Sequence, residues 1–89
     1  MVGLHNNKAE ELKEKQNLSF EEALLLLKAG EKLFRTGWKN VLFVAMQTPD
    51  ENSKMKKSYL YCVPLDQQAV PWVVSNADLF TQDWSVYKA

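Results

Sequence analysis

Residues 19–38, S-F-E-E-A-L-L-L-L-K-A-G-E-K-L-F-R-T-G-W, constrain what this chain can fold into more than any other stretch. Ser19 is a good helix N-cap, and Glu22 three residues on completes a capping box. Phe20, Ala23, Leu24 and Leu27 follow the i, i+3, i+4, i+7 spacing of a buried face. Leu25 breaks the pattern, lying between Glu21 and Lys28 on what should be the wet face, and Leu26 is also off the main stripe. A helix this apolar on more than one side needs cover from more than one neighbour. Gly30 predicts a left-handed stop. A short strand over 33–35 and a Thr36-Gly37 turn follow. The turn presents Trp38 three residues after Arg35, the only arginine of the chain.

Flanking segments supply a sheet. Residues 41–47 (V-L-F-V-A-M-Q) carry apolar side chains on both faces, as a central strand covered on both sides does. Residues 48–58 are polar, with Pro49 near the start, and predict a hairpin loop. Residues 59–63 are rich in β formers. Pro71 cannot donate to a sheet ladder, so 70–74 is an edge or the start of a strand. Ser75 and Asp78 repeat the capping signature and predict a short helical turn to about residue 82. Residues 84–87 (W-S-V-Y) read as a final strand. Ahead of all this, residues 1–18 are polar and charged. They predict an extension, solvated and helical over 9–16 or disordered, in front of a single domain over 19–89.

The chain has 89 residues, enough for one domain that buries only about 60–65% of its unfolded surface. Disulfides, metals or self-association usually compensate. Cys62 is the one cysteine and His5 the one histidine, so neither an intrachain disulfide nor a Cys/His zinc site can form. Self-association remains, and the three Trp, three Tyr and four Phe suit it. Zero formal net charge argues against a nucleic-acid polymer as partner. No run approaches the ~18 apolar residues of a membrane span. The N-terminus lacks the apolar core of a signal peptide, which predicts a cytosolic protein.

Catalytic constellations are weak. His5 lies in the polar extension, away from any predicted element. Cys62 sits mid-strand and reads as a buried structural thiol. Nothing but proximity in sequence pairs Asp78 with Asp83. The glycines are isolated, so no phosphate loop is present, and no cofactor is expected. A recognition set remains. Trp38 and Trp72 follow a glycine turn and a proline, where they can be presented at a rim, whereas Trp84 reads as core. Arg35 suits phosphate or carboxylate, or pairs with a carboxylate of the chain itself. Asn40, Ser75 and Asp78 place short polar groups at turns and at a helix start, with Asp78 either a cap or a ligand contact. Aromatic stacking, worth about 1–3 kcal/mol per base, together with these groups suits a nucleotide-like ligand.

The blocks F20-E-E-A-L, K-A-G30, R35-T-G37-W38 and P71-W72-V-V-S75-x-x-D78-L-F-T-Q-D83-W84 resemble a family of small phage proteins, the Thoeris anti-defence proteins of the second type, long known only as a domain of unknown function. The resemblance covers about residues 19–87. It implies a phage protein in the cytoplasm of an infected bacterium. Such proteins sequester glycocyclic ADP-ribose, the signal of the Thoeris TIR-domain enzyme, and so keep the effector inactive. It also implies a homotetramer with ligand between subunits, and in some members cyclic dinucleotides at separate sites.

The expectation is therefore an α+β fold: one main N-terminal helix packed on a small antiparallel sheet, a short C-terminal helical turn, and a homo-oligomeric state. The expected function is non-catalytic sequestration, with Trp38 and Trp72 on the purine, Arg35 at the pyrophosphate, and Asn40, Ser75 and Asp78 reading hydroxyls or the base edge. A protein-binding module that inhibits a host enzyme, an enzyme that cleaves the signal, and a structural phage protein are the alternatives.

Overall fold

Strand geometry follows the apolar runs closely. In a computed structural model describing residues 10–54 and 56–88, five strands form one antiparallel sheet. They are Leu33–Arg35 (β1), Val41–Gln47 (β2), Tyr59–Pro64 (β3), Val70–Pro71 (β4) and Trp84–Val86 (β5), in the order β4-β3-β2-β1-β5. The run with apolar side chains on both faces, β2, is the central strand. Register places Leu33 opposite Val44, and Val44 opposite Cys62, so these three share one face. Phe34, Phe43, Ala45 and Tyr61 lie on the other. Pro71 sits on the edge strand β4, where its missing N–H costs no ladder bond. The opposite edge is held by Leu18, which exchanges two backbone hydrogen bonds with Trp84, at 2.9 and 3.2 Å.

Residues 10–13 are helical, within the stretch expected to be helical over 9–16, and two further short helices accompany the sheet. Phe20–Lys28 (α1) starts with the predicted capping box: the Glu22 amide donates to the Ser19 hydroxyl and the Ser19 amide to the Glu22 carboxylate. It ends at Gly30, whose φ of 98° lets the Gly30 and Glu31 amides cap the Leu27 and Leu26 carbonyls. Asn76–Phe80 (α2) is capped in the same way by Ser75 and Asp78.

The expected helical layer needs correction. The five-stranded sheet is the principal element, and no main helix covers it alone. At 1.5 Å per residue, nine residues of α1 reach about 13 Å. Five strands at 4.8 Å spacing are about 19 Å wide. Cover is therefore assembled from pieces. Phe20, Ala23, Leu26 and Leu27 of α1 are joined by Leu12 and Leu18, and with Leu33, Val44 and Trp84 of the sheet they form the buried core. Leu26, off the predicted stripe, is fully buried, and Leu25 remains 39% exposed. The homo-oligomeric part of the expectation is not shown by this single chain.

On the far face of the sheet, Tyr87 packs on Phe43 with centroids 4.9 Å apart and meets the edge of Phe34 at 6.2 Å. The Lys32 ammonium sits 4.7 Å from the Phe43 ring centroid. Of the expected extension over 1–18, residues 1–9 and with them His5 lie outside the described residues. Among the described residues no helix is long and apolar enough to cross a membrane.

Candidate functional site

The β1–β5 pairing brings the two sequence blocks together. Arg35 stands opposite Trp84, which sets Asp83 and the capping residues of α2 around its side chain. The Arg35 Nε donates to Asp83 Oδ1 at 2.9 Å, and a second nitrogen reaches Asp83 Oδ2 at 3.5 Å, a side-on fork. A third donates to Asp78 Oδ1 at 3.0 Å. The other Asp78 oxygen accepts from the Ser75 hydroxyl at 2.8 Å and the Ser75 amide at 3.1 Å. Thus Asp78 is both the capping partner and an ion-pair partner of Arg35.

Hydrogen bonding to Asp83 holds the Arg35 guanidinium above its ordinary value. Burial pushes the Asp83 carboxyl upward, but the bonds from Arg35 and Thr81 outweigh it and the net shift is downward. One cation thus faces two carboxylates. A guanidinium has five N–H groups, and three bonds are made here. Two N–H donors remain without a protein partner among the described residues.

Beside this network stands an aromatic cluster built on Trp84. Trp84 is fully buried, as its strand pattern predicts, with Trp38, Phe20 and Trp72 at 5.3, 5.6 and 6.0 Å. Trp38 and Trp72 meet edge to face at 6.2 Å, and both are half-buried. The Trp84 indole N–H donates to the Asp78 carbonyl at 3.0 Å, linking cluster and network. The chain turns tightly from Arg35 to Trp38, closed by the Trp38 amide on the Arg35 carbonyl at 2.9 Å.

Of the six predicted residues, Arg35, Ser75 and Asp78 form one hydrogen-bonded network, and Trp38 and Trp72 form the adjoining rim. Asn40 does not join them: it is exposed, and its carbonyl accepts from Leu65 at 3.2 Å. Asp83, Thr81 and Phe20 belong to the arrangement and were not among the predicted site residues. Alternation from Trp84 marks Asp83 as the residue entering β5, but only the β1–β5 pairing puts it beside Arg35. Among the described residues, three of the open clefts lie elsewhere. The largest, about 380 Å³, is lined by Tyr59, Tyr61 and Pro71 among others, and none of the six predicted residues lines any of the three. Cys62 is buried in β3, which pushes its thiol upward and disfavours the reactive thiolate.

A family model described as the Thoeris anti-defense 2-like domain matches residues 18–87. The chain belongs to this family. A protein of Bacillus phage SP01 named Thoeris anti-defense 2 is 28% identical over 87 residues, with 81% of this chain and 97% of that protein covered. The Thoeris anti-defense 2-like match begins at Leu18, the residue that closes the edge of β5, and ends just past that strand. It includes all six predicted site residues and Asp83. Membership places the chain among phage anti-defence proteins directed against Thoeris.

Proposed function

We propose that this protein disarms Thoeris by binding and holding glycocyclic ADP-ribose without degrading it, in the cytoplasm of the infected bacterium. One observation carries the proposal. Trp38 and Trp72, half-buried and 6.2 Å apart, are tied through Trp84 and the 35–38 turn to a guanidinium that keeps two N–H donors. Flat apolar faces beside a planar cation are what a purine joined to a pyrophosphate requires. Trp38 and Trp72 take the base, and Arg35 takes phosphate through its remaining donors. Ser75 and Asp78 shape the polar wall, and Asn40 approaches only if its loop moves. Binding lies within residues 19–89. Assembly as a homotetramer would supply the second wall that one chain leaves open, and a cyclic dinucleotide could occupy a separate site.

Several features favour holding over cleaving. Both Asp78 oxygens are engaged in hydrogen bonds, and the Cys62 thiol is buried. Among the described residues no group of three or more His, Cys, Asp or Glu is placed to hold a metal ion. For a scarce signal, nanomolar affinity corresponds to roughly −12 kcal/mol. Calorimetry with glycocyclic ADP-ribose tests this. Wild type should bind, and Trp38→Ala should lose about five- to 150-fold in affinity, since stacking is worth about 1–3 kcal/mol. Absence of heat with wild type sinks the proposal and favours a protein-binding role. A folded Trp38→Ala variant that binds fully sinks the site.

A further inference from the structure

We infer that Asp83 is the positioning residue of this site, orienting the Arg35 guanidinium and fixing the turn that presents Trp38. The inference rests on the binding role proposed above, and it adds a residue to which that role assigns nothing. Four hydrogen bonds converge on Asp83. Its Oδ1 accepts from Arg35 Nε at 2.9 Å and from the Thr81 hydroxyl at 3.0 Å. Its Oδ2 lies under the turn, 3.8 Å from where a Cβ on Gly37 would sit, and takes the second bond of the fork. Its carbonyl accepts from the Thr36 amide at 3.0 Å. The next residue, Trp84, is bonded on both sides, to Leu18 through the backbone and to Asp78 through the indole. A side-on fork fixes the plane of the guanidinium, which a single-point contact does not. Asp78 holds the same cation from a second carboxylate and is itself locked by Ser75, so the guanidinium is fixed at three of its N–H groups.

Charge makes the inference testable in sign. Arg35, Asp78 and Asp83 together carry one excess negative charge. A ligand with a pyrophosphate is repelled by that excess at close range, where screening is weak. If Asp83 acted only as a charge, Asp83→Asn would bind the anion more tightly. As a positioning residue, loss of its carboxylate loosens the guanidinium at the start of the turn while the backbone bond to Thr36 stays, and binding weakens although the charge change favours it.

The experiment has two arms on the full chain. In the first, without ligand, nitrogen–proton NMR follows the Nε–H of Arg35, a single signal because the chain has one arginine, and the Trp38 indole. Wild type should show a protected Nε–H. Asp83→Asn should lose that protection and shift Trp38. Unchanged signals overturn the inference whatever the ligand does. In the second arm, binding of glycocyclic ADP-ribose is followed by stopped flow. Asp83→Asn should weaken Kd tenfold or more through faster dissociation, with association unchanged or faster. A merely structural defect instead lowers the binding stoichiometry and leaves the Kd of the folded fraction intact. Tighter or equal Kd overturns the inference. If Asp83→Asn does not fold, Thr81→Val, which removes one contact to the same oxygen, should give the same changes at two- to threefold, and no change overturns the inference. Wild type that shows the protected Nε–H but binds no nucleotide defeats the proposed function and leaves the positioning of the turn standing.

Discussion

Replacing Trp84 by Phe should cost this protein a large part of its stability, because the indole does two things that benzene cannot. Its N–H donates to the Asp78 carbonyl at 3.0 Å. That carbonyl lies in a five-residue helix, where the last four carbonyls have no partner within the helix. Leaving a buried acceptor unpaired costs about 1–3 kcal/mol. The indole also fills a fully buried site between Phe20, Trp38 and Trp72. Phe removes about three ring atoms from it, at about 0.8 kcal/mol per buried methylene equivalent, before any cavity term. The sum is about 3–5 kcal/mol, against a typical domain stability of about 5–15 kcal/mol. Urea titration followed by far-UV circular dichroism reads the loss as a lower midpoint at unchanged slope. Trp72→Phe, at a half-exposed ring whose indole N–H has no partner among the described residues, should cost about 1 kcal/mol. A Trp84→Phe loss below about 1 kcal/mol, or equal to that of Trp72→Phe, would refute the central place given to Trp84.

Further consequences concern the rest of the chain. Gly30→Ala places a Cβ on a residue at φ 98° with open space around it, so only the backbone strain counts, about 1–2 kcal/mol by urea titration. Hydrogen bonding by Lys15 lowers the Glu22 carboxyl, and Arg35 and Thr81 together lower that of Asp83 despite burial. Both groups hold protons more weakly folded than unfolded. Their stabilisation is complete above the ordinary carboxylate range, about 4, and is lost as pH falls below it through the folded values. Thermal midpoints from pH 7 to 3 should therefore fall less steeply in the Asp83→Asn, Glu22→Gln double variant. The Cys62 thiol should resist a maleimide in native protein and react on unfolding, and fast native labelling would contradict its burial.

Local features were readable from the sequence, and distant pairings were not. Ser19 with Glu22, Ser75 with Asp78, and the Gly30 stop depend on neighbours within five positions, so their chemistry is written in adjacent residues. Arg35 and Asp83 are 48 positions apart, and nothing local says that β5 lies beside β1. The same holds for Leu12 and Leu18. Their setting is polar, and both are buried in the core because the chain before α1 folds back along the edge of β5. A helix apolar on two sides suggested a dominant layer. Its second apolar side is instead the fully buried Leu26, while the cover of the sheet is divided among several short pieces. At the site, residue type and placement at turns pointed to Arg35, Trp38, Asn40, Trp72, Ser75 and Asp78 as candidates. Type could not show that two carboxylates hold the arginine, which decides how many of its donors a ligand can reach.

The central claim is that the protein holds a cyclic nucleotide without changing it. The direct measurement incubates purified protein with glycocyclic ADP-ribose, removes unbound nucleotide by filtration, denatures the protein by heat, and identifies what is released by mass spectrometry. Intact signal, recovered in proportion to the protein and lost in Trp38→Ala, is the predicted result. A cleaved product, or no nucleotide retained by wild type, would contradict the claim.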